Sequence, residues 1–252
     1  METYKRGIRS CPQEAAVWIG AARLLELSVS RGGLGGGVAK ARSLLESGRQ
    51  RQPNIEWLWV EGVRLEARHG QEKAGDALLA KGLKVVSKSG LLWSERISRT
   101  PRAQQRGVAV QAARSLDRNP IVIVRVAALL WRERSYDKAR RWFSRAVAID
   151  SKYGDGWAYW LSFEMDQGTS ESCENVRTQC ENASPKLGEL WLQVENTPSF
   201  YDASARAKLE EASRLASQRH QMSSAAQTGA VAGASDASSS SSVNVAASSG
   251  GR

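Results

Sequence analysis

The stretch Trp157-Ala-Tyr-Trp-Leu-Ser-Phe-Glu-Met-Asp-Gln-Gly-Thr-Ser-Glu-Ser-Cys173 decides the fold. It opens on a tryptophan and closes, 16 residues later, on a small residue. The same pairing recurs outward in both directions: Trp59 with Gly75, Trp93 with Ala109, Ile123 with Ala139, and Trp191 with Ala207. The anchors Trp59, Trp93, Ile123, Trp157 and Trp191 follow one another at 34, 30, 34 and 34 residues. The first anchor, Trp18, lies 41 residues before Trp59 and 23 before its small partner Ala41. The seven extra residues coincide with Arg31-Gly-Gly-Leu-Gly-Gly-Gly37, which reads as a flexible loop insertion. Self-similarity at about 34 residues is the mark of helical hairpins stacked in a solenoid.

Each unit reads as helix A carrying the anchor, a short turn, and helix B carrying the small residue. Seven residues into helix B a second position is small in most units: Gly48, Gly82, Ala146 and Cys180, with Leu116 and Arg214 as departures. Positions two turns apart share a helix face, where a small side chain admits a bulky neighbour. Pro53, Pro120 and Pro185 follow the B helices and mark where they end. In the fourth unit Ala139, Trp142, Phe143, Ala146 and Ile149 fall on one apolar stripe, with Arg140, Arg141 and Arg145 largely off it. The expectation is an all-α solenoid of about five to six repeats over residues 16–220. By the same phase, residues 1–15, with Tyr4, Ile8 and Cys11 on the apolar side, read as the second helix of a truncated upstream repeat.

From residue 221 the chain turns to Ser, Ala and Gly, with Asp236 and Arg252 its only charges; residues 221–252 are expected to be a disordered tail. Those two charges cancel, so the formal net charge of +10 belongs to the repeats. A basic fold of this size points to anionic neighbours, ribonucleoprotein foremost, or to an Arg-rich solvated surface. Arg102, Arg106, Arg132, Arg134, Arg140, Arg141 and Arg145 are the candidate contacts for an anionic partner. No apolar run approaches the roughly 20 residues that span a bilayer, so no membrane partner is expected.

Catalytic chemistry finds no support. His69 and His220 are the two histidines, and neither has a Cys or carboxylate cluster at metal-ligand spacing. Nucleophile-elbow, phosphate-loop and zinc-protease motifs are missing. Three cysteines without a CxxC pair fit a reducing compartment, with Cys173 and Cys180 as packing residues. We therefore expect no catalytic residue, no bound cofactor and no metal.

Two hairpin families share these offsets. In helix A an aromatic anchor is followed by Leu65-Glu66 or Phe163-Glu164, and helix B opens on Ala41-Arg42 or Ala139-Arg140. This pattern resembles the half-a-tetratricopeptide (HAT) repeat rather than the tetratricopeptide repeat. Further, Leu58-Trp-Val-Glu-Gly-Val-Arg-Leu-Glu66, Gly90-Leu-Leu-Trp-Ser-Glu95, Lys138-Ala-Arg-Arg-Trp-Phe143, Ile149-Asp-Ser-Lys-Tyr-Gly-Asp-Gly-Trp-Ala158 and Gly188-Glu-Leu-Trp191 resemble C-terminal repeats of the pre-mRNA-processing factor 6 family. The resemblance covers about residues 1–215. It implies a nuclear, non-catalytic scaffold whose protein contacts bridge the U5 and U4/U6 particles in the tri-snRNP, with RNA association chiefly indirect and direct contact left open. A HAT-repeat scaffold or direct RNA binder in polyadenylation or ribosomal RNA processing is the alternative. Arg99-Thr100-Pro101 and Thr197-Pro198 depart from the family pattern by replacing the Leu-Glu pair and shortening helix A.

Overall fold

A computed structural model describes residues 2–30 and 36–239. It is an all-α solenoid of helical hairpins. In chain order the helices are α1 (Glu2–Ser10), α2 (Ala15–Ser30), α3 (Gly37–Arg51), α4 (Glu56–Arg68), α5 (Glu72–Val85), α6 (Gly90–Arg99) and α7 (Arg102–Ser115). They continue with α8 (Pro120–Arg132), α9 (Tyr136–Ile149), α10 (Gly154–Gln167), α11 (Ser170–Ala183), α12 (Glu189–Glu195) and α13 (Ala205–Ser239). The chain divides into two compact units, one up to Thr100 together with Gln104–Arg125, the other Pro101–Ala103 with Val126 onward. The division falls inside α8, where no linker composition marks it.

The hairpins α2/α3, α4/α5 and α6/α7 belong to the first unit. Trp18, Trp59 and Trp93 are each the fourth residue of their A helix, and so are Ile123 of α8 and Trp157 of α10. All five are buried. From that position a helical side chain leans back over the N-terminus. The indole N–H then donates to the carbonyl six residues upstream: Trp18 to Pro12 (3.0 Å), Trp59 to Pro53 (2.8 Å), Trp93 to Ser87 (2.9 Å) and Trp157 to Ser151 (2.9 Å). Each anchor thus ties down the turn that feeds its own helix as well as filling the core. Ile123 has no donor. In its place Asn119 Oδ1 accepts from the N–H groups of Ile121 (3.1 Å) and Val122 (3.4 Å), and Pro120 takes the first helical position.

The small residues of the B helices lie under these rings. A Cβ added at Gly48 would sit 3.3 Å from Trp18, and one at Gly82 would sit 3.2 Å from Trp59. Ala41, Gly75, Ala109, Ala139 and Cys173 are buried as well. α1 packs on α2, with Ile8 against the cluster of Trp18, Ala22, Ala41, Leu45, Leu58 and Leu65.

In the second unit α10 is buried on nearly all sides, from Gly154 to Glu164. Trp160 stacks on Trp157 with ring centroids 5.8 Å apart, which places it in the core. α13 packs on α10, α11 and α12, and His220 stacks on Trp131 with centroids 3.8 Å apart.

Three expectations from sequence are corrected here. In the last hairpin Ala207 is half-buried, and Leu209, Ala212 and Ala216 are the fully buried residues. The helix phase moves by two because a 3-10 turn, Pro198–Phe200, lengthens the connection between α12 and α13. Ile149, at the end of α9, is 37% exposed, and Val147 takes its place in the core. Cys11, expected on the apolar side of the first helix, is exposed beyond the end of α1. α13 is drawn out to Ser239, into the stretch read from sequence as a tail. Alanine is the best helix former, and this stretch is rich in it. Residues 240–252, and most of the glycine insertion at 31–35, lie outside the described residues.

Candidate interaction surface

The charged residues sort into those locked between helices and those left on the surface. Two HAT-type residues prove to be partners. Arg42 on α3 holds Glu66 on α4 through two hydrogen bonds (2.8 and 2.7 Å), and Arg140 on α9 holds Glu164 on α10 in the same way (2.7 and 3.0 Å). In both pairs the arginine precedes its glutamate by 24 residues. Each ties a B helix to the A helix of the next hairpin. Between α5 and α6 the polarity is reversed: Asp76 follows the small Gly75, and Arg99, one residue before the position of Glu66 and Glu164, donates to it (2.8 Å) and to Glu72. The departure at Arg99 is therefore a charge-swapped version of the same lock.

A second set of pairs joins successive A helices. Arg23 binds Glu61 (2.6 Å) and Arg64 binds Glu95 (2.6 Å). Their sequence separations, 38 and 31, differ by the seven-residue insertion, so these are one contact repeated. Arg68 adds bonds to Glu26 (2.8 Å) and Glu61 (2.9 Å). Burial pushes Glu61 up, but its bonds to Arg23 and Arg68 outweigh that and hold it below the usual carboxylate range. Burial likewise raises Glu164, and Arg140, Ser172 and the Trp160 N–H (3.1 Å) bring it net below that range.

Asp155 is a buried carboxylate that composition did not single out. It caps α12 from α10, accepting the N–H groups of Glu189 (2.9 Å) and Trp191 (3.0 Å). Gly188, at φ 124°, lets the backbone pass against it, since a Cβ there would lie 2.2 Å from Asp155 Oδ1. Burial pushes Asp155 up to about 6, against the pull of those backbone donors. The folded state thus holds this proton more tightly than the unfolded chain. Its stabilising effect is full below about 3.8 and is lost as the pH rises through about 6. Stability of the wild type relative to Asp155→Asn is expected to grow as pH falls from 7 to 5, and carbon NMR should show an Asp155 carboxyl titrating near 6. A carboxyl titrating near 4 would remove the basis for that growth.

The seven candidate arginines separate accordingly. Arg140 is committed to Glu164, which corrects its place among them: a buried carboxylate takes the Nε–Nη2 edge of its guanidinium. Arg132 donates to Ser223 (3.1 Å), and Arg145 lies over the Trp142 ring (5.4 Å to its centroid). Arg102, Arg106, Arg134 and Arg141 are exposed and carry no ion pair among the described residues. Burial pushes the Cys180 thiol up to about 12, so it packs and does not react. Among the described residues no cluster of His, Cys, Asp and Glu is placed to hold a metal ion, and no helix is long and apolar enough to cross a membrane.

These locks and anchors can be set beside known proteins. Over 193 residues, 77% of the chain, it is 33% identical to Pre-mRNA-splicing factor prp1 of Schizosaccharomyces pombe. Over 93 residues, 37% of the chain, it is 46% identical to Pre-mRNA-processing factor 6 of Homo sapiens. The chain belongs to the pre-mRNA-processing factor 6 family. It spans a small part of those relatives, 20% of the S. pombe protein and 10% of the human one. No family model matches it. Among solved structures, a chain of the APC/C hetero-tetramer Cut9–Hcn1 superposes with a TM-score of 0.47 at 11% identity, covering 89% of this chain and 44% of that one. That score is too low to bear on function. In this member of the pre-mRNA-processing factor 6 family, constant sequence spacing could have revealed the two sets of ion pairs. The role of Asp155 has no such signal, because it serves a single helix.

Proposed function

We propose that this chain is a non-catalytic scaffold in pre-mRNA splicing, working in the nucleus through protein–protein contacts that help bridge the U5 and U4/U6 particles in the tri-snRNP. The observation that carries the reading is the 33% identity over 77% of the chain to a protein named as a pre-mRNA-splicing factor. The geometry favours a scaffold. Trp18, Trp59, Trp93, Ile123, Trp157 and Trp191 serve packing, and most buried charges are spent on holding hairpins together. In this reading spliceosomal proteins of the two particles are the partners, and RNA association runs chiefly through them, with direct contact left open.

The charge of +10 and the exposed arginines favour a second reading, a HAT-repeat scaffold or direct RNA binder in another RNA-processing complex, such as polyadenylation or ribosomal RNA processing. Affinity purification of the tagged chain from its own cells, with and without RNase, separates the two. U5 proteins retained after RNase are the expected result. Loss of all partners on RNase would transfer the argument to direct RNA binding, and recovery of polyadenylation or ribosome-assembly factors alone would overturn the splicing assignment.

A further inference from the structure

α9 turns one face to the core through Ala139, Phe143, Ala146 and Val147. Away from that face Lys138, Arg141, Trp142 and Arg145 stand at i, i+3, i+4 and i+7, which puts them on a single stripe. Lys138 and Arg141 are exposed and have no ion pair among the described residues. Trp142 is half-buried and differs from Trp18, Trp59, Trp93 and Trp157: its indole N–H has no hydrogen-bond partner among the described residues. The guanidinium of Arg145 lies 5.4 Å from the centre of its ring. The only carboxylate on α9 is Asp137. The next B helix, α11, exposes Glu171, Glu174 and Glu181, so of these two B helices α9 is the one that presents unpaired cations.

We propose that this stripe is a binding site for single-stranded RNA. Lys138 and Arg141 meet successive backbone phosphates. A base stacks at the guanidinium–indole pair of Arg145 and Trp142, with the indole N–H donating to a phosphate or base edge. Flat aromatic and guanidinium surfaces set among cations are how unpaired bases are held without sequence preference. An acidic helical peptide is disfavoured because it needs apolar seats repeated along the groove, and Ile149 is the only exposed large aliphatic on this stripe. The site goes beyond the scaffold reading and does not depend on it.

The test titrates the full chain with a fluorescein-labelled 12-nucleotide oligouridylate by anisotropy across a salt series. Wild type is expected to bind at low salt with an affinity that falls linearly in log–log form. Lys138→Gln/Arg141→Gln is expected to lose about tenfold or more at low salt, with a slope shallower by about 0.7 per contact removed. Lys81→Gln/Lys84→Gln on α5 removes the same charge from exposed positions and should bind like wild type. RNA is also expected to quench tryptophan fluorescence in wild type, and the quench should disappear in Trp142→Phe. Equal losses in both double variants, a quench that survives Trp142→Phe, or equal competition by oligoglutamate would each overturn the proposal, the last in favour of an acidic protein ligand.

Discussion

Trp157→Ala is expected to lower the stability of the second unit by about 3–5 kcal/mol, the usual cost of deleting a large buried aromatic. The side chain is 3% exposed, stacks on Trp160 and holds the Ser151 carbonyl. Its removal opens a cavity in the core beside α10, and frees the turn that feeds α10. Trp157→Phe separates these contributions. It keeps most of the packing and loses the hydrogen bond, which alone contributes about 1 kcal/mol. Hydrogen exchange read by mass spectrometry, segment by segment, is the suitable measurement, because a chain with two compact units need not unfold in one step. Protection should fall across α9 to α11 in the alanine variant and only near residues 150–157 in the phenylalanine variant. Unchanged protection with Ala would mean that the anchor position does not hold the unit together.

The second large effect concerns the lock between α9 and α10. Arg140→Ala is expected to cost about 2–3 kcal/mol, somewhat less than breaking a fully buried pair. Glu164 is only 2% exposed, and without Arg140 its charge keeps just the Trp160 N–H and Ser172 as partners. Arg140 is 40% exposed, so water already screens that side. Glu164→Gln should be milder: the amide still accepts from Trp160, and Arg140 can turn to solvent. The asymmetry, arginine loss worse than glutamate neutralisation, is the diagnostic. It should shrink as the pH falls below the ordinary glutamate value near 4.5, because Glu164 sits lower when folded and its contribution is lost as it protonates. Chemical denaturation at pH 7 and at pH 3.5 reads both. Equal losses for the two variants at pH 7 would show that the pair contributes no more than a surface salt bridge.

The locks also explain why Arg99 departs from the repeat pattern without spoiling it. An arginine where Leu65 and Phe163 stand in other units would leave a charge at a helix junction. Asp76, one residue after Gly75, supplies the opposite charge where Arg42 and Arg140 stand in other units. Two departures that look independent in sequence are one compensated change in space.

Sequence alone determined the hairpin period, the A and B helices, the anchors and the small residues beneath them. Those features are local or strictly periodic: a ring at the fourth position of a helix and a glycine facing it leave a mark every 34 residues or so. The family pattern of Leu-Glu and Ala-Arg was legible for the same reason. Only the tertiary structure decided what these polar residues do. It paired Arg42 with Glu66 and Arg140 with Glu164, took Arg140 out of the candidate surface, and left Lys138, Arg141 and Trp142 on it. It also placed Asp155 at the start of α12 and advanced α13 by two residues. Composition records that a chain is basic, but which charges face water depends on helix rotation and on partners dozens of residues away. A periodic pattern encodes the first weakly, and encodes the second only where the partners repeat too.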